Sequence, residues 1–504
     1  VRQKYPLIYR FHIRLRFMAK EGPRSSLFSL KQLSERIKSG DVSPVDLVEN
    51  CLDKIKILNP ILNAFITIIK EEELHKQAQI AEKEIRQGNY RGLLHGIPFS
   101  IKDIFYVKNV RCTAGSKILA NYVSNRDATV VKRMKKAGAI LIGTNNLNEF
   151  ASGITGINPF YGSSKNPWDI SKISGGSSGG SAVAVATGMV LVSLGTDTGG
   201  SIRVPSSLCG VVGLKPTYGR ISKHNVFPLS PSLDHVGCIT RSVWDAAAVM
   251  EYIAGWDPLD ETSEDKEVPT YTKIIEKTNL KGMRIGVPKE FFCDYLHPEV
   301  EGLFYDFIEI LSSTGDIIVY DLDLHNTERY CKSWQDIRLA EAAEIHLKWL
   351  NTRADDYSHE VRQMLVQGTK ISAVDYINSI RTVKEIRNEF LAVFSDRKLD
   401  AIVVPTTIIS APRFDEETVS VGKNVVLETR QALLRNTIVF NSTGLPTMNI
   451  PIGLTKDNMP IGVQIIGPPF KEKIILSIAY SYECMNNSMD RFAPDFATIN
   501  RKKL

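Results

Sequence analysis

The sequence predicts an α/β fold, with one large mixed β-sheet core covered by helices on both faces. Three observations point there. Capped amphipathic helices open the chain to about residue 89, short apolar runs alternate with helices and glycines between residues 96 and 255, and strand-like runs return after a long helical stretch. Because strand-like segments lie on both sides of that stretch, they are assembled into one discontinuous sheet and not into two domains.

Ser29, with Gln32 three residues on, forms a capping box for a helix whose apolar face is Leu30, Leu33 and Ile37 and whose end is Gly40. Ser43-Pro44 starts a second helix along Leu47, Val48, Cys51, Leu52 and Ile55, with Asn59-Pro60 as its stop. The runs 97–104 and 139–142 read as buried strands, and the charged stretch 257–269 reads as an exposed loop. Strands are expected at 284–287 and 317–319, a helical region from about 335 to 394, and strands again at 401–405, 447–451 and 461–466. The expected organisation is a basic N-terminal extension over 1–27 and a single domain over 28–495. That domain divides into a helical part at 28–90, a core at 91–256, a variable and mostly helical part at 257–400, and a return to the sheet at 401–495.

Composition narrows the function classes. The 504 residues are 43% hydrophobic and 23% charged, and no apolar run approaches the ~18 residues of a membrane span, so a soluble protein without a membrane partner is expected. A net charge of +6 spread along the chain gives no footprint for direct nucleic-acid binding. The first 20 residues are the exception, with Arg2, Lys4, Arg10, Arg14, Arg16 and Lys20 and no acidic residue. Organelle targeting is one reading of them; an extension ahead of Met18 is the favoured one. Seven scattered cysteines without a CxxC pair argue for a reducing compartment, taken as the cytoplasm, and nine unclustered histidines give no metal site.

The chemistry lies in glycine and serine segments. The run 175–181, Gly-Gly-Ser-Ser-Gly-Gly-Ser, precedes the small apolar run 182–186, so it tops a buried helix and is not a linker. It lacks the lysine of a phosphate loop, and it lacks the preceding buried strand of a nucleophile elbow. His235 and His346 read as ordinary polar or core histidines and not as bases. Ser201 follows Gly199-Gly200, where small residues let the backbone turn tightly and point several N–H groups inward, as an oxyanion hole requires. A serine nucleophile there needs a base, and without a histidine the remaining one is a neutral lysine. Lys102 ends an apolar run; neutrality near pH 7 requires its pKa to fall by ~3 units, which burial can supply. The plain alternative is that Lys102 pairs with Asp103 or lies on the surface.

The run 96–103, Gly-Ile-Pro-Phe-Ser-Ile-Lys-Asp, the run 175–181 and the run 195–205, Gly-Thr-Asp-Thr-Gly-Gly-Ser-Ile-Arg-Val-Pro, together closely resemble the amidase signature family. Asn166-Pro167-Trp168-Asp169, the segment 210–219, Gly444-Leu445-Pro446 and Gly462-Val463-Gln464 extend the resemblance over about 29–493, and the spacings of 75 and 24 residues between Lys102, Ser177 and Ser201 fit it. The resemblance implies the amidase signature fold and a Lys102/cis-Ser177/Ser201 triad. Ser201 would form the acyl-enzyme and Ser177 would relay protons to Lys102. The N–H groups of Thr198, Gly199, Gly200 and Ser201 would bind the oxyanion, and Ser178, Asp197 and Arg203 would support the loops. No cofactor is implied.

Within the family, the expected activity is that of an acylamide amidohydrolase acting on linear amides and releasing acid and ammonia. The alternative is the glutaminase component of a tRNA-dependent amidotransferase complex. In such components charged residues of a Glu-Val-Lys-Arg-Arg stretch, and an Asp ahead of an Asn-Leu-Ala-Gly-Leu-Pro element, recognise glutamine. The corresponding segments here read Glu360-Val361-Arg362-Gln363-Met364 and Leu434-Arg435-Asn436-Thr437, so both charged positions are altered. The segment 230–237 also resembles the free-standing amidases. A noncatalytic scaffold is a third reading, and the intact Lys102, Ser177 and Ser201 speak against it. The expected partner is a small-molecule amide; a homo-oligomer is left open.

Overall fold

Ser29 and Gln32 close a full capping box at the head of the first helix, whose Leu30, Leu33 and Ile37 are buried and whose end is a left-handed Gly40. The computed structural model describes residues 29–313, 317–322, 324 and 327–486. The basic extension expected over 1–27, with residues 28 and 487–495 of the expected domain, lies outside the described residues.

The helices are α1 (Leu30–Ser39), α2 (Pro44–Leu62), α3 (Glu71–Arg86), α4 (Thr129–Lys136), α5 (Gly179–Ala186), α6 (Arg203–Cys209), α7 (Val243–Ile253), α8 (Tyr271–Ile275) and α9 (Pro298–Ser313). They continue with α10 (Arg329–Thr352), α11 (His359–Gly368), α12 (Ala373–Asp396), α13 (Thr429–Leu434), α14 (Ile438–Ser442) and α15 (Glu472–Asn486). The strands are β1 (Phe65–Ile68), β2 (Pro98–Lys102), β3 (Ile140–Asn145), β4 (Val192–Asp197), β5 (Val212–Lys215), β6 (His235–Thr240) and β7 (Met283–Pro288). They end with β8 (Ile317–Leu322), β9 (Ala401–Pro405), β10 (Thr418–Ser420), β11 (Val426–Glu428), β12 (Thr447–Leu454) and β13 (Pro460–Ile466).

Eleven strands form one mixed sheet in the order β1-β3-β2-β4-β6-β5-β12-β13-β9-β7-β8, and β10 pairs with β11 apart from it. The strands that follow the long helical region are inserted between β5 and β7, which makes the sheet discontinuous in sequence. Strands β2, β3, β4, β6, β9 and β13 are buried at every residue, so helices and loops cover both faces.

Two local expectations are corrected, and two regions are resolved in more detail. Helix α2 does not stop at Asn59-Pro60: Pro60 sits in its last turn and the chain leaves at Asn63, a left-handed residue whose N–H donates to the Asn59 carbonyl at 2.8 Å. So near the C-terminal end a proline removes one hydrogen bond without ending the helix. The N-terminal section is not helical throughout, because β1 pairs antiparallel with β3. The region from 335 to 394 is three helices, with Ser358 and Ser372 capping the second and third. Strands β4, β5 and β6 carry the centre of the sheet although β4 reads as polar.

Candidate active site

Strand β2 lies between β3 and β4 and is parallel to both, with Ile101 opposite Leu194 of β4. Parallel pairing brings the carboxyl ends of β2 and β4 to one edge, where open α/β sheets form their crevices. Lys102 is the last residue of β2, and its Nζ donates to Ser177 Oγ at 2.7 Å and to Thr196 Oγ1 of β4 at 2.9 Å. It is fully buried and does not pair with Asp103, whose carboxylate instead accepts from the N–H and hydroxyl of Thr113. Burial pushes the Lys102 amine down to about 7, against the pull of the Asp234 and Asp197 carboxylates. An amine so placed exchanges a proton near neutral pH.

Ser177 follows a cis peptide bond from Gly176. A side chain at Gly176 would meet Asn148 Oδ1 at 2.1 Å, so only glycine fits there. Ser178 joins the two serine loops: its N–H donates to the Ser201 carbonyl at 3.1 Å and its hydroxyl to the Thr196 carbonyl at 3.2 Å. Helix α5 then runs wholly buried, which keeps the loop's exit fixed against the sheet.

Ser201 lies in the turn between β4 and α6. Asp197, at the end of β4, organises that turn by accepting from the N–H groups of Gly200 at 2.7 Å and Ile202 at 3.1 Å. Arg203 grips the same carboxylate through Nε at 3.0 Å and Nη2 at 2.9 Å, and its remaining donors reach Gln464 Oε1 and Asn441 Oδ1. Burial alone would raise the Asp197 pKa; Arg203, Lys215 and Asn441 outweigh it and hold the carboxyl below its ordinary range. The pair is a buried brace.

This brace changes the expectation for Gly200, whose N–H is committed to Asp197 and is not free for an oxyanion. Among the described residues no acceptor takes the N–H of Thr198, Gly199 or Ser201. Trp334 of α10 packs on the turn, donating from Nε1 to the Thr198 carbonyl at 2.9 Å, and a side chain at Gly199 would meet its ring at 2.5 Å. At Gly200 the backbone has φ +138°, and a Cβ would meet Thr437 Oγ1 at 2.5 Å.

A narrow cleft opens beside Ser201, Thr198 and Gly199, walled by Ile154, Leu229, Trp334, Arg338, Arg430 and Leu434. A second cavity of about 420 Å³ shares Ala151 and Leu229 with it and reaches Thr196, Asp234 and His235. Asp234 accepts from the Thr198 hydroxyl at 2.6 Å and from the N–H groups of Leu229 and Ser230. The two histidines are structural in placement. His235 Nδ1 meets the Leu233 carbonyl at 2.7 Å, and His346 meets the Tyr357 hydroxyl at 2.9 Å within an aromatic cluster around Phe150. Burial pushes His346 down to about 4.

Trp334, Arg338 and Arg430 join the site without a motif to mark them in the sequence. Thr196 and Asp234 carry a signal, since they fall in the runs 195–205 and 230–237. All seven cysteines are unpaired, and among the described residues no cluster of His, Cys, Asp and Glu could hold a metal ion. No described helix is long and apolar enough to cross a membrane.

The chain resembles proteins of known kind over nearly its whole length. A relative from Carboxydothermus hydrogenoformans, named as one of the subunits of glutamyl-tRNA(Gln) amidotransferase, is 36% identical, covering 90% of this chain and 96% of the relative. A solved structure from a vestigial complex tied to the evolutionary origins of an s-triazine catabolic enzyme superposes with a TM-score of 0.86 at 32% identity, covering 91% of this chain and 99% of the other. The native peptide amidase of Stenotrophomonas maltophilia gives 0.80 at 28% identity, covering 93% and 98%. The family model for amidases matches residues 46–476, and with these likenesses the chain belongs to the amidase signature family.

Proposed function

We propose that the protein hydrolyses carboxylic acid amides to the acid and ammonia through an acyl-enzyme on Ser201. The observation that carries this reading is the buried Lys102 amine, pushed down to about 7 and 2.7 Å from Ser177 Oγ, at the strand edge where Ser201 opens to the cleft. Neutral Lys102 draws the Ser177 proton as Ser177 accepts the one from Ser201, whose oxygen attacks the amide carbonyl carbon. The oxyanion that forms is met by the N–H groups of Thr198, Gly199 and Ser201. As the C–N bond breaks, the proton returns through Ser177 to the leaving nitrogen. Water then attacks the ester by the same relay and frees the acid and Ser201. Ser178, Asp197 and Arg203 hold the two loops in place.

A second reading has its own support. Eight relatives at 34 to 37% identity are each named as this same component of glutamyl-tRNA(Gln) amidotransferase. On that reading the same chemistry acts on glutamine, and the ammonia goes to a partner protein. Against it stand Met364 and Leu434, buried apolar side chains in the two segments compared above with glutamine-recognising positions. Ammonia release from acetamide, a longer aliphatic amide, benzamide and glutamine separates the two. Turnover of simple amides by the chain alone is expected. Exclusive use of glutamine, dependent on added partner proteins, would establish the second reading instead.

A further inference from the structure

Arg338 of α10 lines the Ser201 cleft and is 5% exposed, yet among the described residues no carboxylate pairs with it. Its Nη1 lies 2.9 Å from Met364 Sδ, a weak acceptor, its Nε is buried without a hydrogen-bond partner, and its guanidinium sits 5.0 Å from the Trp334 ring centre. A buried cation with so little compensation costs stability unless something that enters the cleft supplies the missing acceptor. Arg430 of α13 lines the same cleft and is held by Glu360 at 3.0 Å. Burial first and Arg430 second push the Arg338 pKa down to about 9, with Glu360 opposing.

The rest of the lining is uncharged: Ile154, Leu229, Trp334 and Leu434 form walls, and among the described residues no acidic side chain lines the cleft. Within this lining a ligand anion has two guanidinium groups to meet, whereas a ligand ammonium meets no carboxylate among the described residues.

We infer that the cleft selects amides bearing a carboxylate at the far end of a short chain, the half-amides of dicarboxylic acids, with Arg338 as the principal carboxylate-binding residue and Arg430 as the second. This rests on the amide-hydrolase reading of Ser201 and names its substrate class. Trp334 backs the planar guanidinium, which presents parallel N–H groups to both carboxylate oxygens. Leu434 leaves an α-amine desolvated and unpaired, so glutamine is a poorer fit than the same molecule without its amine.

The test uses three amides of one chain length: glutaramate, its neutral counterpart pentanamide, and glutamine. For the wild-type chain, kcat/KM for glutaramate is expected to exceed that for pentanamide by about 10- to 100-fold, chiefly through KM, and to exceed that for glutamine. Arg338→Met should reduce the glutaramate-to-pentanamide ratio at least about tenfold, and Arg338→Lys should restore part of it. Arg430→Gln, at a half-exposed position, should reduce the ratio by a smaller factor and keeps the test open if Arg338→Met does not fold. Equal use of glutaramate and pentanamide, a preference for glutamine, or an unchanged ratio in folded Arg338→Met each overturns the inference. Fluorophosphonate labelling run alongside tells the two levels apart. Labelled Ser201 with no preference for the anion sinks the substrate class alone, whereas no labelling and no turnover of any of the three amides sinks the amidase reading with it.

Discussion

The backbone N–H of Ser178 donates to the carbonyl oxygen of Ser201 at 3.1 Å, so the loop that carries Ser177 and the turn that carries Ser201 are joined main chain to main chain. The Ser178 hydroxyl adds a side-chain bond to the Thr196 carbonyl. Ser178→Ala removes only that second bond, worth about 1 kcal/mol, so kcat/KM should fall less than about tenfold. Steady-state kinetics with a simple amide check this. A loss as deep as that of Ser177→Ala would assign Ser178 to the proton relay itself.

Arg203 and Asp197 form a fully buried pair with two short contacts. Arg203→Met leaves the carboxylate buried without its cation and should cost about 3 to 5 kcal/mol of stability. Urea unfolding followed by circular dichroism reads this. A change under about 1 kcal/mol would mean that Asn441, which also donates to Asp197, holds the turn without the arginine.

At Gly199 a methyl group would meet Trp334 at 2.5 Å, and the indole is itself fixed by its bond to the Thr198 carbonyl. Gly199→Ala must push the ring or the turn aside, an overpacking cost of about 1 to 3 kcal/mol. Both outcomes move a donor proposed for the oxyanion, so kcat should drop about 10- to 100-fold. Unaltered kcat would show that the Gly199 N–H takes no part.

The Lys102 amine is pushed down by burial from its ordinary 10.5 to about 7, and the proposed relay needs its neutral form. Below that value the neutral fraction falls about tenfold per pH unit, and above it the fraction saturates. The kcat/KM profile should therefore rise through pH 7 and level off above pH 8. A profile falling with pH, or the same rise in Lys102→Met, would remove the lysine from the chemistry.

The elements legible in the sequence are those whose signals are local. The capping box at Ser29 and Gln32 lies within one turn of chain, and the glycine and serine segments mark tight backbone by composition. Strand β4 is hidden because Ser193, Thr196 and Asp197 make it read as polar. In the fold those groups are buried and satisfied from a distance, Ser193 by Asn145 Oδ1 at 2.9 Å and Asp197 by Arg203. The same holds for the Gly200 N–H, which looks free in the sequence and is spent on Asp197. Arg338 is illegible for another reason. One arginine in a long helix has no pattern, and its meaning comes from the packing of α10 against the turn at Thr198 and Gly199.

The central claim, that a neutral buried Lys102 activates Ser201 through Ser177, is tested most directly by the site and pH dependence of fluorophosphonate labelling, read by peptide mass spectrometry. The account predicts one adduct, on Ser201, forming at a rate that rises with an apparent pKa near 7 and falls about 10³-fold in Lys102→Ala. An adduct on another residue, or labelling of Lys102→Ala at the wild-type rate, would contradict it.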